Sequence, residues 1–467
     1  MEQKNGGIAH RLIVPDAEIA DFRRTLSIRQ GQVIGQNVVT AFRQDSTPDP
    51  STMGVMPLKQ ILVFLFLALG PAYPPSQKSV AFSKADLEER FLLQVSYEQE
   101  NGFEDFMTSR SRIVDFERQE NVLRMVEEPH DSAASPRLLA TIPIRSETEQ
   151  SLMVDFNAAF DKVFQEEDRT GEDYDGRADT HDYSFFRLSQ RQILSVSQHG
   201  SMLVIDQRAR NMSMDPVLVH YYLSPYRSNP DFKPFEIKNL DHFGFYETYA
   251  RHRSGRTVLY ATKFDSHKPI VFALSAAMPD RYRQAVRDGV LYWNKVLGRR
   301  LLQVIDASDD VRAPDPRYNV IQWLSDGNFN STSHIQSDPL TGEILHAHIF
   351  IRSSNVILGD PDQQNDHLRY VIAHEVGHAL GFRHNFAKGP ASTVMNYFTF
   401  EETVRIGNQV ILPGGKALDY DWKVMRHVYL GDPLDPDTLP PFCTDGQAMC
   451  DPFMSNVPAL PGSSGGN

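Results

Sequence analysis

Apolar positions follow two different patterns along the chain. From about residue 80 to 265 they come in short β-branched or aromatic runs bounded by polar turns, as in Phe91–Tyr97, Arg137–Ile144, Gln192–Ser197, Met202–Ile205 and Val217–Tyr222. Such runs predict strands. Within this half, Met153, Phe156, Ala159, Phe160 and Val163 fall near helical spacing, so Ser151–Phe164 is expected to be a short helix. The acidic stretch Glu166–Asp182 reads as a solvated loop. Near residue 268 the pattern changes. Pro269–Leu274 predicts a strand, and Pro279 opens a helix with Tyr282, Val286, Val290, Trp293 and Leu297 on one face. Strands follow at Leu301–Ile305, Tyr318–Trp323 and Ile344–Ile351, with a loop expected over Asp326–Ser337 and a turn over Asp338–Glu343. A second helix comes next. This order, a β-rich half and then a mixed α/β half, predicts an α+β fold.

Composition narrows the function classes. The chain has 467 residues, 41% hydrophobic and 23% charged, which is globular and long enough for more than one core. Its net charge of −13 and lack of a dense basic run argue against nucleic acid as a partner. The two cysteines, Cys443 and Cys450, exclude a four-cysteine zinc module and form one candidate disulfide in a Pro/Asp/Gly-rich segment. The first 52 residues are polar and aperiodic. Ile61–Leu69 is an apolar run preceded by Lys59 and followed by Gly70-Pro71-Ala72, the layout of a signal peptide over 53–72. The run is too short to span a bilayer, so no stable membrane span is expected in the mature form. Because such a segment ordinarily opens a protein, Met53 or Met56 is read as the start, and 1–52 as an over-extended start or disordered. The expected location is secreted or periplasmic.

The chemistry concentrates in Tyr370–Asn385. On a helix His374 and His378 project from one face a turn apart and can grip one metal ion. Glu375 sits beside that ion rather than on it, where it can hold a water and take its proton. Gly381 can adopt the left-handed conformation that ends a helix, letting the chain bend back and bring His384 to the same ion. Three neutral imidazoles with a fourth position for water make a catalytic zinc site rather than a structural one.

The run from His374 to His384 resembles the HExxHxxGxxH signature of the metzincin metallopeptidases, and Thr393-Val394-Met395-Asn396-Tyr397 resembles their methionine turn. The order of elements over about 240–430 is similar to bacterial secreted zinc-dependent metalloproteases with a β-rich N-terminal domain, although this chain is shorter. The resemblance implies a β-rich domain over 80–265, a metzincin-like catalytic domain over 266–435 with a mixed twisted sheet, and a tail over 436–467. It implies one catalytic Zn2+ held by His374, His378 and His384, with Glu375 as general base and Met395 as the apolar floor beneath them. Tyr397 would be either an oxyanion stabiliser that also binds zinc at rest or a residue of the pocket wall. The resemblance also makes Ile344–Ile351 the edge strand above the cleft, pairing with an extended peptide or protein substrate. His346 and His348 share one face of that strand, read as a polar outward face rather than a second metal site. The implied activity is secreted endopeptidase. Two alternatives stay open: a secreted binding protein that keeps zinc for structure only, and a zinc hydrolase acting on a small amide.

Overall fold

The computed structural model describes residues 79–99, 107–108, 111–127, 137–164, 185–238, 244–251, 256–309, 311, 315, 317–325, 331–386, 392–435, 439 and 442–444. The expected signal segment, the acidic loop and Cys450 lie outside them.

The first half is built from β1 (Ser79–Ser83), β2 (Phe91–Gln99), β3 (Met107–Thr108), β4 (Arg112–Gln119), β5 (Val122–Glu127), β6 (Arg137–Glu147) and β7 (Ser151–Asp155). It continues with β8 (Lys162–Phe164), β9 (Phe185–Arg187), β10 (Ser189–His199), β11 (Met202–Arg210) and β12 (Pro216–Pro225). Nine of these strands pair antiparallel in the order β1-β7-β6-β5-β4-β2-β12-β11-β10, with β3 alongside β2, to make a near-barrel. Period-two alternation selects its interior. Phe91, Leu93, Val95 and Tyr97 point inward from β2, and Val217, Val219, Tyr221 and Leu223 from β12. Register shifts between Met125 and Val126 and between Ile144 and Ser146 add the local bends that curve a sheet. The fully buried side-chain amide of Gln207 donates to the Phe160 carbonyl at 3.0 Å and accepts from the Tyr221 hydroxyl at 3.1 Å. Its burial therefore leaves neither end unsatisfied.

The helix expected over Ser151–Phe164 does not form. The segment is β7, a 3-10 turn at Phe156–Ala158, and β8. Leu152 and Val154, both fully buried, carry the inward face at strand spacing, and β7 finds ladders on both sides, with β1 and β6. Those two residues are the ones a helical reading omits.

The second half opens with a small sheet of β13 (Phe235–Glu236), β14 (Glu247–Arg251) and β15 (Thr257–Ala261). Then come β16 (Ile270–Leu274), α1 (Asp280–Leu297), β17 (Leu302–Asp306), β18 (Asn319–Leu324), β19 (Thr332–Ser337), β20 (Ile344–Arg352), α2 (Pro361–Ala379), α3 (Phe400–Ile406) and α4 (Asp419–Leu430). The main sheet runs β17-β16-β18-β20-β19, parallel except for antiparallel β19. Helices α1 and α2 bury their apolar sides with Ala347, Ile349 and Ile351 of β20 in one core that extends to Tyr420 and Val424 of α4. No helix among the described residues is long and apolar enough to cross a membrane.

Two expectations change here. Thr332–Ser337, expected as loop, is a strand, because Thr332 and Ile335 suit an extended backbone and pair with β20. As a result Ile344, His346 and His348 lie on an interior strand between β18 and β19, and the edge belongs to β19. The near-barrel docks on the side of β20 away from the helices. Gln94 of β2 reaches His346 at 3.2 Å, and Gln336 of β19 donates to the Val95 carbonyl at 3.5 Å.

Candidate metal centre

Helix α2 starts sharply. Asp360 accepts from the N–H groups of Asp362 and Gln363 at 3.0 Å, Gln363 answers to the Asp360 N–H at 3.0 Å, and Pro361 takes the first turn. It stops as sharply at Gly381, whose φ of 100° is closed to most residues; a Cβ there would also meet the Thr262 carbonyl oxygen at 2.0 Å. Between these points the helix aligns His374 and His378, and the turn at Gly381 returns His384 to them.

The three side chains converge through the same atom. Nε2 of His374 lies 3.1 Å from that of His378 and 3.2 Å from that of His384, and the third edge is 3.2 Å. All three residues are buried. The tautomers follow from their outer contacts. His374 Nδ1 donates to the Val394 carbonyl at 2.8 Å, and His378 Nδ1 to the Phe382 carbonyl at 2.8 Å. A carbonyl can only accept, so Nδ1 carries the proton and Nε2 keeps a bare lone pair. Burial, reinforced by the neighbouring imidazoles, pushes His374 down to about 3 and His378 well below its ordinary value, so both are neutral at pH 7.

Lone pairs crowded at this spacing fit a shared cation. Around a tetrahedral zinc with bonds of about 2.0–2.1 Å, neighbouring nitrogens lie about 3.3–3.4 Å apart, close to the observed edges. Among the described residues this is the one group of three metal-capable side chains with ligand atoms within 4.8 Å of one another.

The floor of the triad is Met395, fully buried. A Cβ on Gly377, directly before the second helical histidine, would meet Met395 Sδ at 2.2 Å and Trp293 Cζ2 at 2.8 Å. Only a glycine lets the helix settle this low on the methionine. Residues 360–403 match the family model described as Met-zincin. The chain carries a Met-zincin domain. The matched stretch contains α2, the three histidines and the methionine turn. No curated protein was found to match the chain.

The remaining predicted residues of the Met-zincin domain are placed as follows. Glu375 is buried on α2 next to His374. Tyr397 is 39% exposed, its ring centroid 4.5 Å from that of His384 and 5.8 Å from that of His374, so it both borders the triad and reaches the surface. Ile344, His346 and His348 do not join the triad. His346 is hydrogen-bonded to Gln336 and Gln94, and its ring lies 5.6 Å from that of His348, on the sheet face that the near-barrel covers. They are polar residues of a buried interface rather than of an outward face. Burial pushes His346 down to about 3 and His348 well below its ordinary value. Cys443 is disulfide-bonded, and the one other cysteine of the chain, Cys450, lies outside the described residues.

Several supports went unread in the sequence. The Tyr246 hydroxyl lies 3.1 Å from His378 Nδ1, and the Trp293 indole donates to the Ala373 carbonyl at 2.9 Å, fixing α2 against α1. Asp421 of α4 accepts from the Val394 N–H at 3.1 Å. Burial raises this carboxyl to about 7, against the lowering effect of its Thr393, Tyr292 and Val394 hydrogen bonds. Tyr246 and Asp421 sit in no local motif, so spacing offered no signal. Trp293 was visible as one of a helical stripe, but its indole partner was not.

Proposed function

We propose that this chain is a zinc-dependent endopeptidase acting on peptide or protein substrates. The observation that carries this reading is the buried triad, with Nε2 atoms 3.1–3.2 Å apart and a glutamate next to the first histidine on the same helix. Structural zinc sites close all four positions with protein ligands, whereas catalytic ones use three. His374, His378 and His384 would hold the ion, which when bound lowers the pKa of water toward neutrality and polarises a carbonyl. Glu375 accepts the proton of the attacking water and delivers it to the departing amine. A zinc held for structure alone would have no use for that carboxylate. Tyr397, whose ring lies against that of His384, donates a hydrogen bond to the developing oxyanion. The terminal strand β19, in place of β20, aligns an extended substrate. The acidic charge of the chain argues against nucleic acid as a partner. Work outside the cytoplasm is supported by the signal-like run Ile61–Leu69 and by the disulfide at Cys443.

The test is metal analysis of the purified chain together with a cleavage profile on a peptide library. The parent is expected to carry one zinc per chain and cleave; Glu375→Gln is expected to keep the zinc and lose about 10²–10⁴-fold in rate, the usual share of a general base. Full cleavage by Glu375→Gln, or a zinc-loaded parent that cleaves nothing in the library, refutes the proposal.

A further inference from the structure

Asp421 lies in the first turn of α4, outside the stretch that matches the Met-zincin model, and is fully buried. Two donors converge on its Oδ2: the Tyr292 hydroxyl of α1 at 2.7 Å and the Val394 N–H at 3.1 Å. Val394 has a second duty. Its carbonyl accepts the Nδ1–H of His374 at 2.8 Å. The Tyr292 hydroxyl in turn accepts from the Leu418 N–H at 3.1 Å, just ahead of α4. One oxygen thus ties α1, α4 and the methionine turn together at the residue that orients a triad histidine. Packing alone does not explain a carboxyl here, since an apolar side chain of similar volume fills buried space at lower cost.

We infer that Asp421 is a positioning residue for the metal centre, holding the Val394 peptide so that its carbonyl sets the tautomer and ring orientation of His374. A ligating histidine owes both properties to the partner of its outer nitrogen, and losing that partner weakens metal binding tenfold or more. Asp421 acts one link further out. Its effect on catalysis rests on the peptidase reading; its effect on the metal rests on the triad alone.

The test uses the full chain, loaded with zinc and labelled with 15N at histidine. Asp421→Ala is expected to move the His374 ring resonances while those of His378 and His384 stay in place. Zinc release to a chelator is expected to quicken about five- to tenfold, the low end for outer partners, and kcat to fall with KM unchanged. Asp421→Asn is the conservative rescue. Its amide oxygen can take the place of Oδ2 and receive both donors, so release and resonances are expected within about twofold of the parent. A folded Asp421→Ala with the parent's His374 resonance and zinc release overturns the inference. So does an Asp421→Asn as impaired as Asp421→Ala. If Asp421→Ala does not fold, Tyr292→Phe is read in its place, because it removes one donor and keeps the ring; a shifted His374 resonance supports the inference and an unshifted one overturns it. Resonance and release require no peptide cleavage, so a chain that binds zinc but cleaves nothing would refute the peptidase reading while leaving this result to stand or fall by itself.

Discussion

Replacing Gly377 by alanine sets two known effects against each other. In a helix interior alanine is favoured over glycine by about 1 kcal/mol, so on propensity alone the variant should be more stable. Its Cβ, however, would lie 2.2 Å from Met395 Sδ and 2.8 Å from Trp293 Cζ2, far inside the roughly 3.5–4.0 Å of an ordinary carbon contact. Neither neighbour has room to retreat. Both are fully buried, and the indole is held by its hydrogen bond to the Ala373 carbonyl. Overpacking a close-fitted core costs about 1–3 kcal/mol, and two rigid contacts put this site in the upper part of that range. The expected balance is a net loss of about 1–2 kcal/mol. Urea unfolding of the metal-free chain, followed by tryptophan fluorescence, measures it directly. The three tryptophans, Trp293, Trp323 and Trp422, all lie in the second half, which holds the triad, so the signal reports the right region. Zinc should also leave faster, because displacing Met395 shifts the neighbouring Val394 carbonyl that holds His374. A Gly377→Ala chain as stable as the parent, or more so, would mean that the methionine floor is not in tight contact with the helix.

Two more outcomes can be measured on the same material. His334 and His346, which burial pushes down to about 4 and about 3, are neutral when folded and titrate near 6.5 when unfolded. The unfolded chain therefore binds more protons below pH 6.5, and stability should fall as pH drops from about 6.5 toward 4; a urea midpoint series should show a shallower fall for His346→Gln, and an unchanged slope would count against the buried interface. In the near-barrel, Arg112 Nη1 donates to both oxygens of Glu127 at 2.8 and 2.9 Å, with both side chains almost wholly buried. Glu127→Ala is expected to cost about 3–5 kcal/mol by removing the carboxylate that faces the buried Arg112 guanidinium, measured by circular dichroism during urea unfolding.

The triad was legible because its information is local. Helix geometry fixes the relation of His374 to His378, and Gly381 fixes the return of His384, all within one turn or two of backbone. The sheet edge was not, because strand order is a property of pairing rather than of any one segment. Ile344–Ile351 is the more apolar run and looks like the strand to notice, yet the segment that borders it, Thr332–Ser337, reads as polar loop until its ladder with β20 is seen. The same limit hid the strand at Ser151–Asp155, where apolar residues satisfy two periodicities and the neighbours β1 and β6 decide between them. His346 and His348 show a third form of it. Alternation placed them correctly on one face, but nothing in the chain tells that a second half will cover that face and turn it into interior.

The supports of the third histidine extend this argument to the end of the chain. His384 is followed by Asn385, whose N–H donates to the Met395 carbonyl at 2.7 Å and whose side-chain oxygen accepts from the Cys443 N–H at 3.2 Å. The next residue, Phe386, donates its N–H to the Cys443 carbonyl at 2.7 Å. By composition the segment beyond residue 435 is a Pro/Gly-rich tail with a staple of its own. In the fold its disulfide-bonded cysteine braces the return loop that delivers a ligand. A loop of this kind has no helix to hold it, so its ordering entropy has to be offset by contacts from elsewhere. The methionine turn supplies one side and the Cys443 segment the other. That division of labour accounts for why two ligands can be read from a helix while the position of the third depends on residues far beyond the motif.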